Sequence, residues 1–324
     1  MSVDRRAVLA GGAAVAGLAL AGPAGLTSAS AAAPMATTQA PGFYRYKVGD
    51  FQITAIHDGF AGRPLEGFIR NAKLEDVQKA MGAAGLSTER LPLTFTSLVI
   101  NTGAKLIVID TGNGNSGAPT SGRWMENFKA AGFSPDQIDT ILISHFHGDH
   151  INGLRLKDGA AQFPNVEIKV PEPEWAFWMD DARMNAASDA LKGGFQGARR
   201  VFKDMPNVSR FQWGKEVAPG ITAIQTDGHT PGHTSFMISS GGAQFIALGD
   251  VTNMPSLFVR HPGWHAVFDM NGEIAERSRR KMLDMAASEK AQVAFYHAPF
   301  PATGHIVRDG SGYDFAPALW SSAA

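Results

Sequence analysis

Ser144-His145-Phe146-His147-Gly148-Asp149-His150 packs three histidines and an aspartate into six positions, directly after the apolar run Ile141-Leu142-Ile143. The run reads as a short buried strand, so the cluster falls where a strand gives way to a loop, the place at which a rigid scaffold presents functional side chains. Alternate residues of an extended backbone share a side. His145 and His147 can therefore hold one metal ion while Asp149 and His150 turn toward a second beside it. Imidazole with carboxylate suits zinc first, with iron, manganese or cobalt as alternatives, because affinity alone does not select among them.

Further ligand types lie downstream, where strands of one sheet can deliver them to the same place. Asp227-Gly228-His229-Thr230-Pro231-Gly232-His233-Thr234 offers histidine again, Leu248-Gly249-Asp250 ends an apolar run on a carboxylate, and Ala302-Thr303-Gly304-His305 supplies a last histidine. The pattern His-x-His-x-Asp-His, then His, Asp and His, resembles the metallo-β-lactamase superfamily in its two-metal hydrolase branch. Within that branch the chain is most like the secreted methyl parathion hydrolase and lactonase group. The likeness covers most of the chain after about residue 42, including the Ala40-Pro41-Gly42-Phe43-Tyr44-Arg45 opening and the Phe300-Pro301-x-x-Gly304-His305-Ile306 ending.

The resemblance implies that His145, His147 and His233 hold the first metal and Asp149, His150 and His305 the second, with Asp250 bridging. It implies an α+β fold, an αββα four-layer sandwich with the metals at one edge between the sheets. Asp110, ending the 105–110 strand, is implied as a carboxylate orienting a ligand histidine; an Asx-turn in Asp110-Thr111-Gly112 is the alternative. His229 reads as a capping or orienting residue of its loop. His297 is left as a substrate contact or a support to the metal ligands.

Ordinary globular composition, with 44% hydrophobic and 18% charged residues, fits a single large domain at 324 residues. A net charge of −1 leaves no basic stripe for nucleic acid. The absence of cysteine excludes disulfides, a thiol nucleophile and a cysteine metal ligand. At the amino terminus, Arg5-Arg6 precedes a weakly apolar, Ala- and Gly-rich segment, and Ala29-Ser30-Ala31 supplies small residues suited to cleavage. Residues 1–31 thus read as a twin-arginine export signal, 32–42 as a linker and 43–324 as the hydrolase domain. The glycines and Pro23 make the leader a poor spanning helix, so the expected location is periplasmic or secreted, with no stable membrane insertion after signal removal. Beyond the export machinery, the expected partner is a small-molecule substrate; a homodimer is open, as the commonest assembly.

The mature chain opens with strands at 44–48 and 51–57, closed by Asp58-Gly59 as hairpin chemistry. A helix at 74–84 and a hairpin of 95–101 with 105–110 follow. After the histidine cluster come a strand at 166–170 and helices at 172–181 and 188–202, whose aromatics can line an apolar pocket over the metals; Trp178 and Phe195 are the candidates. Strands at 208–213, 221–225, 235–239 and 244–248, a helix at 272–287 and a strand at 292–296 complete the order.

The chemistry expected is hydrolysis. Two divalent cations sharing a water lower its pKa toward about 7, and the hydroxide attacks an ester, lactone or phosphotriester of a mostly apolar small molecule. Asp250 fixes the metal spacing and Asp149 can accept a proton. Two departures from the resembling enzymes bear on substrate: Asn253 stands where acyl-homoserine lactonases commonly carry a tyrosine, and residues 112–123 offer no aromatic for an aryl leaving group. The alternatives are a cysteine-free metallo-β-lactamase, a mononuclear iron oxygenase of the same fold, and a metal-dependent binding protein without turnover.

Overall fold

The structure is a computed structural model that describes residues 33–310 and 312–322; the expected export signal lies outside the described residues. Residues 33–39 belong to one compact unit and form neither helix nor strand; Ala40–Ala324 is the other and carries the fold.

Two seven-stranded mixed sheets form that fold. The first runs, in spatial and chain order alike, β1 (Phe43–Val48), β2 (Phe51–Pro64), β3 (Arg90–Asn101), β4 (Leu106–Ile109), β5 (Thr140–Leu142), β6 (Glu167–Pro171) and β7 (Val208–Phe211). The second runs from β8 (Glu216–Ala218) through β9 (Ile221–Gln225), β10 (Thr234–Ser240), β11 (Ala243–Ala247), β12 (Gln292–Ala294) and β13 (Thr303–Asp309) to β14 (Gly312–Pro317). The helices are α1 (Leu74–Ala83), α2 (Trp124–Ala130), α3 (Gly148–Ile151), α4 (Glu172–Trp178), α5 (Asp181–Ala186), α6 (Asp189–Phe202), α7 (Pro255–Phe258) and α8 (Gly272–Glu289).

Period-two alternation explains the layering, because successive strand residues face opposite ways. Leu98, Ile100, Ile107, Ile109 and Leu142 point inward and pack on Ile221, Phe236, Ile238 and Phe245 of the facing sheet. Their neighbours Val99, Val108, Ile141 and Ile143 point outward under Phe128 of α2 and Phe195, Val201 and Phe202 of α6. On the far side Ile246, Leu248 and Val293 receive Met282, Leu283 and Ala286 of α8. Both faces of both sheets are thus buried, which gives the αββα sandwich expected from the sequence.

One element departs from expectation in a way that shapes the site. Asp58-Gly59 does not end a hairpin; the register shifts there as a bulge and β2 continues to Pro64. Gly59 has φ 115, and a Cβ there would lie 2.1 Å from the Thr120 carbonyl oxygen, so only glycine lets the two backbones meet. Residues 57–64 and 90–96 consequently pair with each other alone among the strands, as a ribbon standing beyond the sheet. Its underside, with Leu65, Leu91 and Leu93, packs on α1 and α7.

Candidate metal centre

Strand ends bring the donors together. His145 and His147 follow β5, α3 carries Asp149 and His150, His229 lies before β10, Asp250 follows β11, and His297 follows β12. Two groups result: His145, His147, His229 and Asp250, and then Asp149, His150 and His297. In the first, His147 Nδ1 lies 3.0 Å from His145 Nε2 and 2.9 Å from His229 Nε2, while Asp250 Oδ2 lies 3.2 Å from His229 Nε2 and 4.0 Å from His145 Nε2. Four ligand atoms around an ion at metal–nitrogen distances of 2.0–2.1 Å stand about 3.3 Å apart, so the spacing fits a tetrahedral cation. In the second, His150 Nε2 is 3.4 Å from both Asp149 Oδ2 and Asp250 Oδ1, and His297 Nε2 is 2.9 Å from Asp250 Oδ2 and 3.5 Å from Asp149 Oδ2. Asp250 therefore faces both groups.

The hydrogen bonds behind the rings fix which nitrogens face inward, since a ring nitrogen that donates outward leaves its partner bare. His150 Nδ1 donates to Asp110 Oδ2 at 2.8 Å, His229 Nδ1 to Asp269 Oδ1 at 3.0 Å, and His297 Nδ1 to the Thr94 carbonyl at 2.8 Å. Ser144 Oγ spends its proton on Asp110 Oδ2 and so accepts from His145 Nδ1, 3.0 Å away. With the imidazoles neutral, as metal ligation requires, four bare Nε2 atoms and two carboxylates then converge with no donor among them. His150 Nε2 and Asp250 Oδ1 are buried without a hydrogen bond. Lone pairs packed at this spacing repel one another unless cations lie between them, so the residues present fit two divalent metal ions.

Protonation gives the same picture. Burial lowers His147, to about 3. Burial also works against charging His229, yet its bonds to Asp250 and Asp269 lift it to about 9. His150 is likewise held well above its ordinary value, its burial outweighed by Asp149, Asp250 and Asp110. Asp250 is pulled well below the usual carboxylate range, its burial outweighed by His297 and His150. The carboxylate field attracts positive charge to this place.

Three supports hold the donors. Asp110 adopts φ 60, a left-handed conformation that aspartate tolerates, and so accepts from Ser144 N as well as His150. Glu174 of α4 is fully buried and accepts from Phe146 N, Trp178 Nε1, Thr230 Oγ1 and Gly232 N, tying α4 to both histidine loops; burial still raises its pKa despite these four bonds. Tyr296 stacks 3.8 Å from His150 and donates to the Asp149 carbonyl at 2.6 Å.

Four expectations meet a different placement. His233 is buried but turned away: its Nδ1 is held by Thr226, and its Nε2 accepts from Asp250 N at 2.9 Å, so it orients Asp250 rather than facing a metal. Gly249, at φ 59, permits that approach, for a Cβ there would lie 2.9 Å from His233 Nε2. His229 takes the inward place instead. His305 sits in the middle of β13 with an exposed side chain, between Gln292 and Ala316, and joins neither donor group; His297 takes its place. Trp178 and Phe195 are buried in the core beneath α4 and α6 and do not line the cavity.

That cavity, about 550 Å³, opens over the donors. The ribbon supplies Ala61, Arg63, Leu93 and Phe95, and Phe268 faces them. The loop that lacks aromatics contributes Asn113, Ser116, Gly117 and Ala118. Asn253 is buried elsewhere and is not part of the lining.

Residues 93–297 match the profile of the Metallo-beta-lactamase superfamily. An N-acyl homoserine lactonase of Bacillus sp is 26% identical over 169 residues, 52% of this chain and 59% of that protein; the chain thus spans less than two thirds of the length of that relative. Two solved structures are similar along nearly their whole length. AidC, a dizinc quorum-quenching lactonase in complex with a product, is 26% identical with a TM-score of 0.82, covering 87% of this chain and 99% of that one. The hydrolase AbOPH, in the beta lactamase superfamily, is 28% identical with a TM-score of 0.83, covering 88% and 100%.

Proposed function

The chain belongs to the metallo-β-lactamase superfamily, and on that premise we propose that it is a dinuclear metal-dependent hydrolase of esters and lactones. The observation that carries this reading is the sharing of Asp250 between two donor groups at the floor of an open cavity. When bound, two divalent cations, zinc in our reading, supply a water of lowered pKa and polarise the substrate's carbonyl or phosphoryl oxygen. Asp250 spans the two groups and fixes their separation. Asp149, whose carbonyl is pinned by Tyr296, is the most exposed of the donor carboxylates and can take up a proton as the scissile bond breaks.

Similarity to a dizinc lactonase supports a lactone or ester substrate, and Leu93, Phe95 and Phe268 offer it an apolar wall. Phosphotriesters are the second reading, supported by the same centre and the likeness to AbOPH. The test is turnover by metal-loaded protein of p-nitrophenyl esters, dihydrocoumarin, an acyl-homoserine lactone, methyl parathion and nitrocefin. Ester or lactone turnover should exceed that of nitrocefin by at least about tenfold and vanish on chelation. Nitrocefin as the fastest substrate would make the protein a β-lactamase, and no hydrolysis with a single bound iron would move it to the oxygenase class.

Export rests on the sequence alone. Arg5-Arg6 and the following segment support delivery to the periplasm or beyond by the twin-arginine route, and among the described residues no helix is long and apolar enough to cross a membrane. Changing Arg5 and Arg6 together to lysine should leave the full chain in the cytoplasm; unchanged fractionation would refute this route.

A further inference from the structure

The wall of the cavity carries one cation with nothing to neutralise it. Arg63 lies near the end of β2 with its guanidinium carbon 5.7 Å from the Phe268 ring centroid. Among the described residues its guanidinium makes no hydrogen bond and no ion pair. Arg90, on the neighbouring strand, donates to the Gly62 carbonyl at 2.8 Å and lies on the opposite face of the ribbon, so it does not line the cavity. Apart from the Ser116 hydroxyl, the other polar side chains of the lining are already committed. Asn113 Nδ2 donates to Asp58 Oδ2, Asn152 Oδ1 accepts from Arg200, and the cavity's carboxylates, Asp149 and Asp250, face the metal donors.

The register says how far Arg63 stands from the chemistry. Phe95 lies 5.5 Å from His297 and pairs with Gly59, while Arg63 pairs with Leu91, four residues further along the ribbon. At about 3.3 Å per residue the backbone at Arg63 is roughly 13 Å beyond the level of the metal donors. Its side chain therefore meets the remote end of a bound molecule, not the reacting bond. Arg63 stands exposed at the rim, where a guanidinium backed by an aromatic face presents a planar fork matched to a carboxylate.

We propose that Arg63, backed by Phe268 at the tip of the β2–β3 ribbon, is a specificity determinant selecting esters or lactones that carry a carboxylate several carbons from the scissile carbonyl. The proposal rests on the hydrolase reading and narrows its substrate class. Arg63 takes no part in bond breaking, so its effect belongs in KM for anionic substrates.

A matched pair tests it: p-nitrophenyl hexanoate and mono-p-nitrophenyl adipate, which share acyl length and differ in the terminal carboxylate. In the metal-loaded wild type, kcat/KM should favour the adipate ester. Arg63→Met should lower the adipate-to-hexanoate ratio at least about tenfold, mostly through KM, and Arg63→Lys should recover part of it. An unchanged ratio in Arg63→Met would overturn the proposal and leave Arg63 as a solvated rim charge. Calorimetric binding of 6-oxoheptanoate, a methyl ketone with the same span from carbonyl to carboxylate and no ester bond, reads Arg63 without turnover: weaker binding to Arg63→Met supports the proposal and equal binding overturns it. Should both p-nitrophenyl esters prove inert, the hydrolase reading fails, and the binding comparison still decides for or against Arg63.

Discussion

His297→Ala is expected to weaken the second metal by at least about 100-fold and to reduce hydrolysis by a similar or larger factor, while His305→Ala leaves both within about twofold. Changing residues that merely support a ligand costs about 10–100-fold in affinity or activity, and His297 is itself placed to bind. Its Nε2 faces Asp250 and Asp149, and its Nδ1 is held by the Thr94 carbonyl, so the ring cannot turn away and has no substitute nearby. His305 points out from β13 into solvent. Metal titration of both variants, with folding checked by circular dichroism, separates the two histidines. Loss of a metal in His305→Ala with His297→Ala intact would reverse the assignment.

Arg279→Met is expected to destabilise the protein by about 3–5 kcal/mol and, in the protein that remains folded, to weaken metal binding about 10–100-fold. Arg279 is 1% exposed on α8 and donates to the carbonyls of Val251, Pro262 and Trp264 and to Asp269 Oδ2. Asp269 in turn accepts from His229 Nδ1. Removing the guanidinium strands three carbonyls and a carboxylate that is 1% exposed, and removing one partner of a buried pair costs far more than the pair contributes. Urea unfolding of the metal-free and metal-loaded forms measures the two effects separately. The double variant Arg279→Met/Asp269→Asn should recover part of the stability, because the uncompensated charge is gone. A loss below about 1 kcal/mol in Arg279→Met would show that the network does not bear on the fold.

The layers and the core of the site were legible because they rest on local pattern. An apolar triplet before His145, alternation in β3 and β4, and the amphipathic α8 each state their own geometry. Which of two nearby histidines faces the metals is not local. His229 and His233 lie four residues apart in one loop, and the choice is made by Asp269, forty residues away in sequence, which turns His229 inward, while Asp250 N occupies His233. His297 stands at a strand end like the other donors, a signal available in Phe295-Tyr296-His297 that was outweighed by the order of His, Asp and His downstream. Trp178 and Phe195 lie at helical spacing that serves core and pocket equally well, and Glu174 claims the Trp178 indole for the core. Glu174 and Arg279 were invisible, for a charge in a helix ordinarily faces water, and only the folded chain shows these two enclosed. The ribbon was missed because Asp-Gly is turn chemistry, and here the same pair makes a bulge.

Elemental analysis of the purified protein, counting metal per chain, tests the two-metal centre most directly. Two divalent ions per chain in the wild type, falling to one in His297→Ala, is the result this structure predicts. One ion per chain at saturation in the wild type would contradict it, for then Asp149, His150 and His297 do not form a metal site.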